Sequence, residues 1–209
     1  LLTTTYQGMV KKSPLNEIPG PTAQPFIMVK VNEGDELGWY HLTTGKDDIL
    51  LVTASGMAIR FSEETVRGMG LAAAGVMGIK LQNEDYLVGA TLIPGRGEIL
   101  LVATDGTAKR LNPRQFPSQG RYGQGVIAWR LPEDVQVAGI ASGKGTRRLT
   151  VASEMNRRSA IGFCDSSEEM SIAELPAPTT ITDRGFVVSR TVPTPSASRP
   201  VRGFSMQPS

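Results

Sequence analysis

The chain has almost none of the residues from which reactive sites are commonly built. It contains one cysteine, Cys164, and one histidine, His41, in 209 residues. A single cysteine excludes an internal disulfide framework and fits a reducing compartment. One histidine with one distant cysteine makes a poor metal site, and His41 reads as a strand-end histidine beside a loop. Aromatic residues are only 6% of the chain. No apolar run approaches the length of a membrane span, and no basic segment leads into an apolar one as in a signal peptide. Charge is also scarce in sum, at +2, so charge alone does not predict a nucleic-acid partner. No amphipathic helix stands out, beyond a turn near Ser62-Glu63-Glu64-Thr65-Val66.

Glycine and proline are abundant, at 23 and 14 residues, and the apolar fraction of 40% is that of a globular protein. Many turns suit many short strands. Residues 49–81 read ILLVTASGMAIRFSEETVRGMGLAAAGVMGIKL, and the pattern returns over 99–131 as ILLVATDGTAKRLNPRQFPSQGRYGQGVIAWRL. Leu51, Gly56, Arg60, Gly70, Gly75, Val76 and Leu81 recur as Leu101, Gly106, Arg110, Gly120, Gly125, Val126 and Leu131. Another copy starts at Leu1, with Gly8 in the place of Gly56, and prolines break its middle. In that copy 26–31 reads as a buried strand before a turn at 32–35. A degraded fourth copy begins near Arg148, and beyond Arg190 no apolar periodicity remains. A repeat of about fifty residues with four short strands cannot bury both faces alone. The expected fold is therefore all-β, a propeller-like array of four-stranded antiparallel blades at about 1–48, 49–98, 99–147 and 148–180. Gly8, Gly56 and Gly106 are expected in equivalent hairpin turns, and 181–209 is expected to be a mostly disordered tail.

No catalytic constellation emerges. The stretch from Gly139 to Gly145 lacks the spacing and the hydroxyl of a phosphate loop. Gly120, Gly123 and Gly125 lack the order and setting of a dinucleotide fingerprint. The acidic pairs Glu63-Glu64 and Glu168-Glu169 read as solvated faces. The recurring chemistry is cationic instead. Lys11-Lys12, Arg60, Lys109-Arg110 and Arg157-Arg158 each follow the first turn of a repeat. In a circular array these positions form a ring, and a ring of cations suits a curved phosphate backbone, because neutralised phosphates release counterions. Positive charge peaks over 99–147, with seven basic and three acidic side chains. Gln119-Gly120-Arg121-Tyr122-Gly123-Gln124-Gly125 adds a cation, an aromatic ring and glycines whose N–H groups can approach phosphates.

At these residues the chain resembles the C-terminal domain of the DNA gyrase A protein and its topoisomerase IV counterpart. The resemblance covers about 1–175 and is sharpest over 49–131. It implies a β-pinwheel, a propeller-like disc with strand exchange between blades that bends double-stranded DNA around its rim. Gyrase members carry a box, Gln-Arg-Arg-Gly-Gly-Lys-Gly, needed for wrapping. Residues 119–125 match it at Gln119, Arg121, Gly123 and Gly125 and depart at Gly120, Tyr122 and Gln124, leaving a degenerate box. The resemblance further implies a fragment of a longer, bacterial, cytoplasmic and nucleoid-associated protein, with about four blades visible against six in gyrase. The catalytic tyrosine would lie upstream, so none of Tyr6, Tyr40, Tyr86 and Tyr122 takes that role. Partners would be the rest of the DNA-cleaving gyrase A polypeptide and the ATPase, gyrase B. This segment would need no cofactor, while ATP and Mg²⁺ would act through other domains or through gyrase B. The alternatives are a propeller that scaffolds proteins and a stand-alone DNA-coating paralogue.

Overall fold

Every named strand of the computed structural model is antiparallel to its neighbour in the sheet, and three of the four sheets repeat one plan. The structure describes residues 1–143 apart from 22, 23, 83 and 94, together with the backbone of two short strands at 149–151 and 179–181. The plan begins with a hairpin: β1 (Leu2–Thr5) with β2 (Met9–Lys12), β4 (Asp48–Thr53) with β5 (Met57–Ser62), and β8 (Glu98–Ala103) with β9 (Ala108–Leu111). Strands β3 (Leu37–His41), β7 (Leu87–Leu92) and β11 (Val137–Gly143) then pair with the first strand of each hairpin. The remaining pair, β12 (Leu149–Val151) with β13 (Thr179–Ile181), forms a two-stranded sheet among the described residues.

The hairpin turns are set by glycine. Gly8, Gly56 and Gly106 have φ of 83°, 84° and 86°, the left-handed region that glycine enters without steric cost. Their N–H groups donate to Thr5, Thr53 and Ala103 at 3.1, 3.1 and 3.0 Å. The three turns are thus equivalent, as the repeat requires. A 3₁₀ turn at Glu63–Thr65 follows β5, capped by Ser62 Oγ, which accepts from the Glu64 N–H. Its counterpart at Pro113–Gln115 is capped by Asn112 in the same way.

The fourth strand of each sheet comes from the following repeat. β6 (Val76–Met77) pairs with β2, giving the order β3-β1-β2-β6, and β10 (Val126–Ile127) pairs with β5, giving β10-β5-β4-β7. A blade is therefore not a contiguous segment, and the sheet boundaries cross the expected limits at 48 and 98. The third sheet, β11-β8-β9, has three strands among the described residues. Gly75 and Gly125 make the exchange possible. Both have positive φ, and a Cβ at either would sit 2.6 Å from the Val10 carbonyl oxygen or 2.3 Å from that of Ala58.

Core packing explains the unbroken apolar run at the start of each hairpin. Ile49 and Leu51 pack with Leu2, Val10, Ile59, Phe61 and Ile79, between the first and second sheets. Leu50 and Val52 pack with Ile99, Leu101, Phe116 and Ile140, between the second and third. Both faces of β4 are buried, so alternation disappears from its sequence. Each of these four side chains is fully buried and contributes about 1.5–3 kcal/mol.

One expected strand is absent. Residues 26–31 form no named strand, and Phe26 and Ile27 are exposed. This run is the first repeat's counterpart of β6 and β10, and no described strand lies beside it to accept the exchange. The fourth blade beyond β12 and β13, Glu168-Glu169 and the tail lie outside the described residues.

Candidate nucleic-acid interface

The strand edges define a hub and a rim. β7 packs against both β3 and β11. His41 Nε2 hydrogen-bonds the Ala90 carbonyl at 2.9 Å, as a strand-end histidine should, and Thr91 Oγ1 meets Ser142 Oγ at 2.7 Å. Gly89 comes so close to β11 that a Cβ on it would lie 1.8 Å from Ile140 Cγ2. The edges carrying β3, β7 and β11 therefore converge, and the exchanged strands β6 and β10 occupy the opposite, outer edges.

Most of the expected cation ring is engaged inside the protein. Lys11 is the plain correction: it is 1% exposed, and Nζ donates to the carbonyls of Met28, at 2.7 Å, and Leu71. A buried ammonium cannot reach a phosphate. Lys109 makes the matching bond, from Nζ to the Ala128 carbonyl at 2.9 Å. Lys12 Nζ donates to the Glu63 carbonyl at 3.1 Å. Arg60 is ion-paired with Asp48 and also donates to the Phe116 carbonyl at 3.2 Å. Arg110 is more open and pairs with Glu98 at 3.3 Å. Packing is the cause: loop and turn segments, from the same repeat and the next, lay carbonyls against the hairpin strands, and long cationic side chains satisfy them. Arg157 and Arg158 lie outside the described residues.

Glu63 is a second correction to the surface reading. It is fully buried, and neither carboxylate oxygen has a hydrogen-bond partner among the described residues. The 3₁₀ turn directs it inward, towards Gly45.

The degenerate box also serves the exchange. The Gln119 N–H donates to the Arg60 carbonyl at 2.8 Å, and the Tyr122 N–H to that of Gly78 at 2.7 Å. Arg121 donates from Nε to Thr65 and from an Nη to Met77, at 3.1 and 3.3 Å. These N–H groups are bound to carbonyls instead of being free for an anion. Gly123 bridges Ile79 and Gly125 crosses Ala58, whereas Gly120 and Gln124 face solvent.

A different set of cations is exposed on the rim. The Lys80 N–H donates to Gly123 O at 2.9 Å and the Lys30 N–H to Ala73 O at 3.3 Å, so the two residues are equivalent. Arg130 holds that place in the third repeat, two residues after the carbonyl that Lys109 binds, as Lys30 follows the Met28 carbonyl bound by Lys11. Lys30, Lys80 and Arg130 are all exposed. Lys80 and Arg130 lie three residues past the outer-edge strands β6 and β10. The repeat alone did not single them out, although Lys80 and Arg130 immediately precede the matched leucines Leu81 and Leu131. Three more exposed cations, Lys46, Arg96 and Arg114, line an open cleft between the second and third repeats, beside Asp47 and the Arg60–Asp48 pair.

Burial holds the Lys11 pKa below the ordinary 10.5, with Glu17 opposing the shift. Burial disfavours the charged form, so in the window between the lowered value and 10.5 the unfolded state binds more protons. Stability then rises with pH. Wild type is expected to gain on a Lys11→Met variant across that window. At neutral pH the variant should lose about 1–3 kcal/mol, because two carbonyls lose their donor. Denaturant titrations at several pH values measure both, and a neutral effect at every pH would contradict a structural role for the two Lys11 hydrogen bonds.

Among the described residues no cluster of His, Cys, Asp and Glu could hold a metal, and no helix is long and apolar enough to cross a membrane. What the fold and the rim define is a repeat β-domain with an exposed cation at the same place in successive repeats. The family model for the DNA gyrase C-terminal domain, beta-propeller, matches residues 1–37, 47–94 and 97–143, and the chain belongs to that family. The DNA gyrase A protein of Klebsiella oxytoca is 48% identical over 84 residues, covering 40% of this chain and 10% of the relative. That of Mycolicibacterium smegmatis is 39% identical over 90 residues, covering 42% and 11%. The matched stretch is thus about a tenth of these curated relatives' length. Among solved structures, the C-terminal domain of DNA topoisomerase IV superposes with a TM-score of 0.70 at 24% identity, covering 87% of this chain and 61% of that one. The DNA gyrase A C-terminal domain gives 0.58 at 23% identity, covering 73% and 50%. These likenesses agree with the pinwheel plan of exchanged strands.

Proposed function

We propose that this chain is a sequence-insensitive DNA-binding and DNA-bending module of a type IIA topoisomerase, carried on its DNA-cleaving polypeptide. One observation carries the reading: an exposed cation recurs at the same place in successive repeats, as Lys30, Lys80 and Arg130. Equivalent charges along a curved edge match the spaced phosphates of a duplex laid over it, and such contacts position DNA without reading bases. Bending stiff DNA costs several kcal/mol, which many weak contacts together offset. In the same reading, the parent is a bacterial cytoplasmic enzyme whose cleavage and ATPase functions reside in other domains and in a gyrase B-type partner. ATP and Mg²⁺ would be used there.

A mobility shift of the full chain with linear duplexes, repeated over a salt series, tests the reading. Affinity should be similar for unrelated sequences, and log affinity should fall linearly with log salt. Ligation of nicked circles in its presence should shift the linking number if the DNA wraps. A flat salt response, or strong preference for one sequence, would remove the physical basis of the proposal.

A further inference from the structure

We propose that the ring of Tyr122 makes an uncharged contact with duplex DNA on the rim, beside the phosphate contact of Lys80. The inference rests on the DNA-binding reading above and adds a second kind of contact to it. Tyr122 has φ of 66°, and Glu84 is the only other described non-glycine residue with positive φ. A side chain other than glycine is strained there. Glycine would remove the strain, and glycines stand at 120, 123 and 125. Burial does not compensate, because Tyr122 is 53% exposed. The equivalent residue in the second repeat is Ala72, which has no such backbone. Folding therefore gives no account of an aromatic residue at this place.

The surroundings indicate what the ring meets. The Tyr122 N–H is fixed to the Gly78 carbonyl, and the Gly123 carbonyl receives the Lys80 N–H. Two hydrogen bonds thus hold the exposed ring next to the segment that carries an exposed rim cation. A phosphate on Lys80 would bring deoxyribose and base edges within the ring's neighbourhood. The apolar face of a tyrosine packs on such surfaces, most readily where bending has opened the stacking. Such a contact adds affinity but releases no counterion, which separates it from a lysine or arginine contact.

The test compares full-length wild type with Tyr122→Gly, Tyr122→Phe and Lys80→Ala, each measured by thermal unfolding and by binding to a mixed-sequence linear duplex over a salt series. Tyr122→Gly is expected to raise the thermal midpoint by about 2–4 °C. It should also weaken binding about five- to tenfold at every salt concentration, leaving the log–log slope unchanged. Tyr122→Phe should keep wild-type affinity, and Lys80→Ala should reduce the slope by about 0.9. If wild type binds and Tyr122→Gly binds equally well, the contact proposed for Tyr122 is wrong while the DNA-binding reading stands. A slope change in Tyr122→Gly would equally overturn an uncharged contact. Wild type that fails to bind overturns both readings.

Discussion

Replacing Gly56 by alanine is expected to cost about 3 kcal/mol or more, while the same change at Gly106 should cost about 1 kcal/mol. The two glycines hold the same turn with nearly the same φ, 84° and 86°, so the conformational penalty for a Cβ is shared. Their surroundings differ. At Gly56 the carbonyl accepts the N–H groups of Ala128 and Trp129 at 2.9 and 3.2 Å, which places the exchanged segment directly on the turn. A Cβ there would lie 2.2 Å from the Trp129 carbonyl oxygen, and backbone cannot swing aside as a side-chain end can. At Gly106 no described atom lies within 4 Å of the corresponding position. Gly8 falls between them, since its Cβ would meet Ile79 Cγ2 at 2.9 Å, a side chain that can give slightly. The expected order of destabilisation is Gly56, then Gly8, then Gly106. Urea denaturation of the three single variants measures it. Equal losses at Gly56 and Gly106 would mean that the exchanged segment does not press on the second turn.

The second large effect concerns binding. A variant with Lys30, Lys80 and Arg130 all changed to alanine is expected to bind duplex DNA about tenfold or more weakly at moderate salt. Its salt slope should be shallower by about 2.7, at about 0.9 per lost phosphate contact. Stability should stay within about 0.5 kcal/mol, because exposed side chains remote from caps and cores rarely contribute more. Lys109→Met supplies the contrast. Its ammonium is committed to the Ala128 carbonyl, so removing it should lower stability while leaving the salt slope close to wild type. Filter binding or anisotropy across a salt series, run beside denaturant titration, reads both quantities. A slope that changes with Lys109 and not with the rim triple would restore the hairpin cations as the DNA contacts and remove the rim assignment.

The sequence by itself determined the repeat, the hairpins and the turn glycines, because these are local. A glycine at a left-handed turn, or an apolar run such as Ile49-Leu50-Leu51-Val52, carries its reason within a few residues. It could not show which strand completes each sheet. β6 and β10 are two residues long, too short to encode a partner, and they pair with hairpins of the preceding repeat; strand exchange was expected only through the family resemblance. The same distance effect hid the roles of the cations. Lys11 and Lys30 look alike in a sequence, and counting charge treats them equally. Tertiary structure separates them, because packing lays the carbonyl of Met28 from the same repeat and that of Leu71 from the next beside one ammonium and leaves the other in water. A buried donor must be satisfied where it lies, so tertiary packing decides which cations hold the fold together and which remain available to a phosphate.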